Sequence, residues 1–281
     1  MNLGIIVPQK PGNAKVYGIW HIPIFCYRIE VVENMNLVIC NIPLTVGNAM
    51  LVAKYMRRVK GRLDKLLMKE GVMAVLEHPS FTKLYGSHKA NYDIYLKDIA
   101  VYRLPELIKV VKGTGDLSHI EVTLTGGSRN LEYAISKLIT SVRCINILLP
   151  EGISESQEAE LAFAETGIPV HITTDPEVLN RTALWIRFPS DHESFDCLPS
   201  HYSGRIIDLG ELKVIDTRTK RIYNICLELA DRIVTQIGFD LCDELGINRL
   251  SGFVTAYCSN AWEKSPAEVS IRLGMRLSIK P

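Results

Sequence analysis

The chain has 281 residues, of which 47% are hydrophobic and 22% are charged. This composition is typical of a folded globular protein and excludes an intrinsically disordered one, and the length allows one large domain or two modest ones. The 32 Lys and Arg residues balance 31 Asp and Glu residues, so the formal charge is only +1. A chain this evenly balanced has no global electrostatic attraction to nucleic acid or to an anionic membrane.

The seven cysteines are odd in number and include no Cys-x-x-Cys pair. This pattern argues against a disulfide framework and a standard zinc ribbon, and it favours a reducing compartment. The N-terminal apolar run has no basic flank and is broken by Pro8, and no apolar run approaches the ~18 residues that a membrane span needs. We therefore expect a cytoplasmic protein without a signal peptide or a membrane span.

The first region, to about Lys112, mixes short strands with one clear helix. The apolar run at 36–42 predicts a buried strand, and Thr45 offers a helix N-cap after it. Gly71 stands where a C-cap glycine would, and 72–76 predicts the next strand. Between these two signals, apolar residues recur at the three- and four-residue spacing of one helix face. They are Val52, Tyr55, Met56, Val59, Leu63, Leu66 and Leu67.

The same helix carries the one concentrated group of basic residues in the sequence, opposite its apolar stripe. Such a face can dock an acidic partner or a phosphate, and the alternative is an ordinary solvated helix face. The residues are Lys54, Arg57, Arg58, Lys60, Arg62 and Lys65.

The second region alternates strands with helices. Strands are predicted at 120–124, 145–149, 170–173, 183–188 and 205–209. Helices are predicted at 131–139, 154–165 and 176–180. Because connections this short imply right-handed crossovers, the pattern predicts a parallel sheet in a compact, doubly wound, Rossmann-like domain.

The last region predicts helices that return to the first. Residues 216–245 read as one long or broken helix, and further helical sequence continues towards Leu277. Its apolar stripe comprises Ile222, Ile225, Cys226, Leu229, Ile233, Ile237 and Leu241. The predicted fold class is therefore α/β: a Rossmann-like parallel-sheet domain at 114–213, and a second α/β domain at 1–113 completed by C-terminal helices at 214–281.

The turn after the first strand of the Rossmann-like region is the candidate nucleotide site. Small residues let the backbone approach a pyrophosphate, and the following helix N-terminus supplies oriented N–H groups. The candidate cofactor-binding residues here are Thr125, Gly126, Gly127, Ser128 and Arg129. The turn departs from Gly-x-Gly-x-x-Gly because Asn130 replaces the last glycine. The alternative is a degenerate turn that only caps a helix.

Two further polar positions follow predicted strands. Glu151 comes after the second strand, where an acidic residue often accepts hydrogen bonds from a ribose, and the alternative is a plain loop carboxylate. The loop at 191–201 holds several acidic, His and Cys residues, but no pair has the spacing of a structural zinc site. We expect no metal there.

Three segments, in the same order along the chain, resemble the long-chain acyl-acyl-carrier-protein reductases. Residues 71–82, followed by Gly86, resemble the family segment that ends in a Phe-Thr pair. Residues 222–229 resemble a helix start with a cysteine and a Glu two residues later. Residues 269–276 are similar to the closing segment of the family. The resemblance runs from about Gly71 to the C-terminus.

This resemblance implies an NADPH-dependent enzyme that reduces an acyl thioester to an aldehyde. It implies that Cys226 takes the acyl group as a thioester, and that an acyl carrier protein or a small-molecule substrate is the partner. The family turn is Gly-Ala-Thr-Gly-x-x-Gly, whereas Arg129 and Glu132 stand here at two of its glycines.

That departure leaves a second hypothesis, a Rossmann-like binding or regulatory protein without redox chemistry. A two-domain layout of this kind is also similar to that of the shikimate dehydrogenases. Their Asn-Val-Thr-x-Pro-x-Lys signature is absent, since residues 41–45 lack the lysine that serves as the base.

Overall fold

The computed structural model describes residues 1–8, 24–42, 53–81, 85, 93–113, 116–149, 169–188, 202–209 and 222–280. The chain divides into two compact units. The first comprises Met1–Tyr95 and Leu227–Arg276, and the second comprises Leu96–Cys226 and Leu277–Pro281. The leading segment of the first unit ends at Tyr95, inside the helix Asp93–Tyr102, and the domain boundary at 113 stays a prediction.

The described chain contains both strands and helices. The strands are β1 (Asn2–Pro8), β2 (Phe25–Val32), β3 (Met35–Ile42), β4 (Val72–Glu77), β5 (Glu121–Thr125), β6 (Cys144–Leu148), β7 (Val170–Thr173), β8 (Leu184–Arg187), β9 (Arg205–Asp208), β10 (Ile222–Glu228) and β11 (Arg276–Lys280). The helices are α1 (Ala53–Lys69), α2 (Asp93–Tyr102), α3 (Leu104–Lys112), α4 (Ser128–Leu138), α5 (Val178–Arg181), α6 (Asp231–Ile237), α7 (Phe239–Leu245), α8 (Ile247–Trp262) and α9 (Pro266–Arg272).

The first unit contains a four-stranded sheet in the order β2-β3-β1-β4. β1 pairs in parallel with both β3 and β4, and β2 is antiparallel to β3 at one edge. Residues 3–7 of β1 are all buried, as expected of a parallel strand that is covered on both faces. The sequence pattern does not predict this central strand, since its apolar run ends at Pro8 after only a few residues.

Helix α1 packs its predicted apolar stripe on this sheet. Val59, Leu63 and Leu67 lie in one buried cluster with Ile6 and Val38 from the strands. The helix ends where glycine permits a left-handed turn: residue 71 has a φ of 62°, and its N–H donates to the Met68 carbonyl at 3.1 Å. The helix from Ala53 onward and its C-terminal glycine are confirmed, whereas the predicted N-cap Thr45 and the stripe residue Val52 lie outside the described residues.

The second unit contains a seven-stranded sheet in the order β11-β10-β9-β8-β5-β6-β7. β5 pairs in parallel with β6 and β8, and the pairs β6–β7, β8–β9 and β9–β10 are parallel as well. Counted from β5, the order from β7 to β10 is 3-2-1-4-5-6, which is the strand order of the Rossmann fold. The predicted α/β class with a Rossmann-like parallel sheet is confirmed.

The segment 216–245, predicted as one long or broken helix, begins in its described part with a strand, and this part of the prediction is wrong. Residues 222–228 form strand β10, which pairs with β9, and helices begin only at Asp231. Gly238 and Gly246 then separate α6, α7 and α8, with φ values of 98° and 83°. The spacing misled because a short apolar run fits either element, and the open edge of β9 supplies hydrogen-bonding partners that only a strand can use.

The chain after this point is helical as predicted, except at its end. Residues 276–280 form β11, at the edge of the seven-stranded sheet, instead of extending the helices. Within the described ranges, no helix combines the length and the apolar character needed to cross a bilayer.

Candidate functional site

The strand order reverses at β5, which places the candidate site of the second unit at the carboxyl ends of β5 and β8. The first strand-to-helix connection leaves β5 towards β6 and β7, whereas β8, β9 and β10 lie on the other side of β5. Ligands of open parallel sheets bind in the crevice outside the carboxyl ends of the strands at such a reversal. The predicted glycine turn, residues 125–129, follows β5 at this position.

The backbone conformation of Gly126 and the close approach of Phe188, the residue after β8, both require glycine in this turn. Its φ is 140°, a value that residues with a Cβ rarely adopt. A Cβ at this position would lie 2.5 Å from the Phe188 Cβ and 3.0 Å from the Phe188 carbonyl oxygen. Phe188 is held there because its N–H donates to the Thr125 carbonyl at 2.8 Å. The glycine therefore lets the ends of β5 and β8 approach closely.

Gly127 has a different role, as the N-cap of α4. Its φ of −72° and ψ of 148° are ordinary extended values, and its carbonyl accepts from the Leu131 N–H at 3.2 Å. Because glycine has no side chain to cap the helix, this residue leaves the first-turn N–H groups of the 11-residue helix without an N-cap acceptor. Such N–H groups, with the helix dipole, suit an anion such as a pyrophosphate.

The side chains of Ser128, Arg129 and Asn130 lie outside the described part of the structure, so their predicted contacts stay predictions. Glu132 is exposed on α4. Glu151 and the loop at 191–201 also lie outside the described residues. Among the residues that are described, no group of His, Cys, Asp and Glu side chains is arranged to hold a metal ion.

A buried ion pair lies beside this turn, and the sequence analysis did not predict it. Thr125, Arg187 and Asp208 face one another in register across β5, β8 and β9, so their side chains emerge on the same face of the sheet. Arg187 Nη1 lies 3.2 Å from Asp208 Oδ1, and these side chains are only 7% and 9% exposed. Because a buried charge is stable only when it is paired, the pair fixes both side chains at the edge of the site.

The polar side chains deeper on this face of the sheet form hydrogen bonds with one another. Trp185 Nε1 donates to Thr125 Oγ1 at 2.9 Å, and Thr123 Oγ1 donates to Thr182 Oγ1 at 2.7 Å. Thr182 in turn donates to the Val178 carbonyl at 2.8 Å. Both strand threonines are fully buried. These hydroxyls therefore hold the sheet and the α5 segment together, and they are not available to a ligand.

Tyr202 closes the same cluster next to β9. Its ring meets Trp185 edge to face with centroids 6.0 Å apart, and its hydroxyl donates to the Arg205 carbonyl at 3.0 Å. Burial raises the pKa of Tyr202, so this hydroxyl stays protonated and donating. A Cβ at Gly204 would lie 2.2 Å from the tyrosine oxygen, which explains the glycine there.

Cys226, the predicted nucleophile, lies in β10 and not at the start of a helix. This strand corrects the part of the family resemblance that places a helix start at 222–229. The residue is 6% exposed, and its neighbours Ile225 and Leu227 are 7% and 1% exposed. Cys226 is therefore enclosed on β10, between β9 and the edge strand β11.

The predicted basic face of α1 is exposed in the first unit. The charged positions from 57 to 65 are solvent-facing, and Lys60 Nζ also lies 5.0 Å from the centroid of the Tyr85 ring. The side chain of Lys54 lies outside the described part. This surface is therefore accessible, as the spacing of the apolar stripe predicts.

The first unit has polar groups of its own at the carboxyl end of a parallel strand. Glu77 is fully buried and accepts from the Tyr85 N–H at 2.6 Å. His78 is 8% exposed; its Nδ1 lies 2.6 Å from Ser80 Oγ, and its Nε2 lies 3.4 Å from Glu244 Oε2. Burial lowers the pKa of His78, and the Glu244 carboxylate opposes that effect. The sequence signal that could have predicted this cluster is an acidic residue and a histidine at the end of an apolar run.

A cavity of about 170 Å³ lies among the C-terminal helices of the first unit. Its walls include the carboxylates of Glu228, Asp231 and Asp243, and Arg276 makes an ion pair with Asp231. Cys226 does not line this cavity. Neither the cavity nor the His78 cluster includes a predicted site residue.

Comparisons with known proteins give little information about the function of this site. No family model matches the chain, and no curated protein matches it. Among solved structures, the chain is similar to L-tryptophan dehydrogenase from Nostoc punctiforme, with 10% identity over 84% of this chain and 73% of that chain. The TM-score is 0.32. A likeness of this size says nothing about substrate or activity, so the resemblance to the acyl-acyl-carrier-protein reductases stays a prediction.

Proposed function

We propose that the chain is an NAD(P)-dependent oxidoreductase that holds its dinucleotide at the turn between β5 and α4. The observation that carries this proposal is the coincidence of three features at one place. The strand order reverses at β5, Gly126 lets the ends of two strands approach, and Gly127 leaves the first-turn N–H groups of α4 without a side-chain cap. This combination suits a pyrophosphate.

In this proposal the turn from Gly126 to Arg129 contacts the pyrophosphate, and Glu151 accepts hydrogen bonds from the adenosine ribose. The fully buried Thr125, also a predicted cofactor residue, supports the turn through its bond from Trp185 and does not contact the ligand. When bound, the nicotinamide would supply the hydride. The Arg187–Asp208 pair would form a fixed, charged wall at the ends of β8 and β9, since both side chains are held in register by the strands. NADPH is the cofactor that the family resemblance implies, and Arg129 is the residue that suits its 2′-phosphate.

The sharpest test changes Gly127 in two ways. Gly127→Asp introduces an N-cap acceptor that stabilises α4 by only about 0.3 kcal/mol but places a carboxylate on the N–H groups that the pyrophosphate needs. Gly127→Ala, the matched control, adds a methyl group without charge at ordinary backbone angles. We expect calorimetric titration to show saturable binding of NADPH or NADH by the wild type, a slightly weaker Kd for the alanine variant, and a Kd about tenfold or more higher for the aspartate variant.

Two results would overturn the cofactor site. One is the failure of the wild type to bind either dinucleotide at millimolar concentration. The other is equal binding by the aspartate variant and the wild type, with circular dichroism showing both folded. A binding preference between NADPH and NADH would identify the cofactor, and Arg129→Ala should weaken NADPH binding selectively.

The finer proposal concerns the substrate and rests on the family resemblance. The Cys226 thiolate attacks the carbonyl carbon of an acyl thioester, the carrier thiol leaves, and the acyl group is held as a new thioester. Transfer of a hydride to that carbonyl carbon then releases the aldehyde and restores the Cys226 thiolate. Acyl transfer from a labelled long-chain acyl thioester should label wild-type protein but not Cys226→Ala, and equal labelling of both would remove this step.

The basic face of α1 supports an acyl carrier protein as the donor, because the surfaces of such carriers are acidic. Arg57 and Lys65 are exposed on this face. A double charge reversal, Arg57→Glu with Lys65→Glu, should raise the KM for a protein-bound acyl group and leave the KM for a small acyl thioester unchanged. Equal effects on both substrates would contradict this partner.

A second candidate function is a ligand-binding protein that keeps the fold without redox chemistry. The enclosure of Cys226, at 6% exposure, favours it, since a nucleophile must reach its substrate. This candidate predicts a bound nucleotide or phosphate compound in the absence of turnover, and sustained reduction of any acyl thioester would reject it.

A further inference from the structure

Two cysteines of the first unit face each other across neighbouring strands. Cys26 of β2 and Cys40 of β3 are directly opposite in the antiparallel register. Their sulfur atoms lie only 2.7 Å apart, against about 2.05 Å in a disulfide bond. Cross-strand neighbours of this kind have Cβ atoms about 4.5–5.5 Å apart, close to the separation of about 3.5–4.5 Å found in disulfides. The backbone therefore already holds the two side chains near the geometry of a disulfide.

The two thiols differ in access. β2 is an edge strand, and Cys26 is partly exposed on it. Cys40 is fully buried in the cluster that joins β3 to α1, where Val59 and Leu63 also lie. A small molecule in solution can therefore reach Cys26 first, whereas Cys40 is reached through Cys26.

The interaction between the two thiols also favours Cys26 as the reactive sulfur, because it shifts their pKa values in opposite directions. Its interaction with Cys40 lowers the pKa of Cys26, although burial and the Glu70 carboxylate oppose the effect. The same interaction, together with burial, raises the pKa of Cys40. The accessible sulfur is thus the one with more thiolate character, and thiolate is the nucleophile in disulfide exchange.

We propose that Cys26 and Cys40 form a thiol–disulfide exchange site whose substrate is a small-molecule disulfide of the glutathione class. The Cys26 thiolate attacks one sulfur of the disulfide and forms a mixed disulfide, and the first small thiol leaves. The Cys40 sulfur, after loss of its proton, then attacks Cys26 Sγ and releases the second small thiol. The protein loses two electrons and two protons, which reduce one disulfide to two thiols, and the reverse sequence reduces the protein.

Cys144 provides a matched comparison in the other unit. It is also partly exposed and lies on a strand, but its hydrogen-bonding neighbour is the Asn146 amide oxygen at 3.8 Å. Burial and the nearby Glu121 carboxylate raise the pKa of Cys144. We therefore expect it to react more slowly than Cys26 and to stop at a mixed disulfide.

The test uses the full-length reduced protein and oxidised glutathione as the probe. After a time course, remaining thiols are alkylated at acidic pH and the digested protein is mapped by mass spectrometry. We expect a Cys26–Cys40 crosslinked peptide to accumulate before Cys144 is modified, and a reducing agent to reverse it. A persistent mixed disulfide at Cys26 without a crosslink, or faster modification of Cys144, would overturn the proposal.

Variants separate the two steps. Cys40→Ala should trap a stable mixed disulfide at Cys26, Cys26→Ser should leave Cys40 unmodified, and Cys144→Ser should form the crosslink at the wild-type rate. Circular dichroism and urea unfolding check that each variant is folded. If a variant is not folded, the peptide map of the wild-type protein alone decides whether the Cys26–Cys40 crosslink forms. Modification of Cys40 in folded Cys26→Ser protein would contradict the order of attack. These outcomes do not depend on a dinucleotide.

Discussion

The two sheets of this protein both end in buried polar residues, but they hold them by different means. In the seven-stranded sheet, the strand register itself pairs Arg187 with Asp208 and aligns Thr125 beside them. In the four-stranded sheet, Glu77 ends β4 and His78 follows it, and their side chains find their partners on other segments, at Tyr85 and Glu244. The register of neighbouring strands fixes the positions of the first group. The positions of the second group depend on the segments that carry their partners and on the charge states of those partners.

The largest expected effect is the loss of one partner of the Arg187–Asp208 pair. Arg187→Met leaves a buried carboxylate without its guanidinium, and we expect a loss of about 3–5 kcal/mol in the free energy of unfolding of the second unit. The double variant Arg187→Met, Asp208→Leu removes both charges and should recover most of this loss. Urea denaturation measures both. A single variant within 1 kcal/mol of the wild type would show that the pair is not isolated from water.

Glycine-to-alanine substitutions in the two units should have opposite effects on stability. Gly126→Ala combines an unfavourable φ with a Cβ that overlaps Phe188, and we expect it to destabilise the second unit by about 3 kcal/mol. Gly61→Ala lies on exposed α1, where nothing stands within 4 Å of the new Cβ, and should stabilise the first unit by about 0.5–1 kcal/mol. Urea unfolding followed by separate probes in each unit measures both effects. Effects of the same sign would contradict this account of the turn.

Thr182 tests the network beneath the site. Thr182→Val keeps the shape of the side chain but leaves the Thr123 hydroxyl without its acceptor, and removes the donor to the Val178 carbonyl. We expect a loss of about 1–3 kcal/mol in the free energy of unfolding. The pair Thr123→Val, Thr182→Val should be less destabilised than the sum of the single variants, because neither hydroxyl is then left unpaired. Strict additivity would show that the two threonines do not interact.

The smallest expected effect is a pH dependence confined to the first unit. Because burial lowers the pKa of His78, its native state binds fewer protons than its unfolded state below about 6.5. The stability of the first unit should therefore be full above that pH and fall as the pH drops towards the lowered pKa. His78→Gln should flatten this dependence of the urea midpoint, whereas His119→Gln, at an exposed position in the second unit, should not. An unchanged slope in the His78 variant would reject this role.

The sequence predicted the second unit better than the first, for a physical reason. From β5 to β9, each strand is a short apolar run and each described helix starts or ends at a clear signal, so local pattern and fold agree. β10 was missed because the spacing of Ile222, Ile225 and Cys226 fits a helix face as well as a strand. The pairing with β9, which selects the strand, joins residues that are far apart in the sequence.

The candidate site likewise has features that the sequence predicted and features that it did not. The glycine turn was predictable, since Gly126 and Gly127 follow an apolar strand and precede a helix. The alignment of Arg187 with Asp208 and the meeting of Cys26 with Cys40 were not, because register across strands leaves no mark on either segment alone.

The sequence by itself determined the α/β class, the parallel sheet, the position of the turn after β5 and the exposed basic face of α1. These follow from local periodicity, which each segment carries within itself. Only the tertiary structure decided that β10 is a strand, that Arg187 is paired and buried, and that the accessible thiol of Cys26 has a buried partner. Each of these depends on a contact between residues distant in the chain, and the free energy of that contact is absent from either segment considered alone.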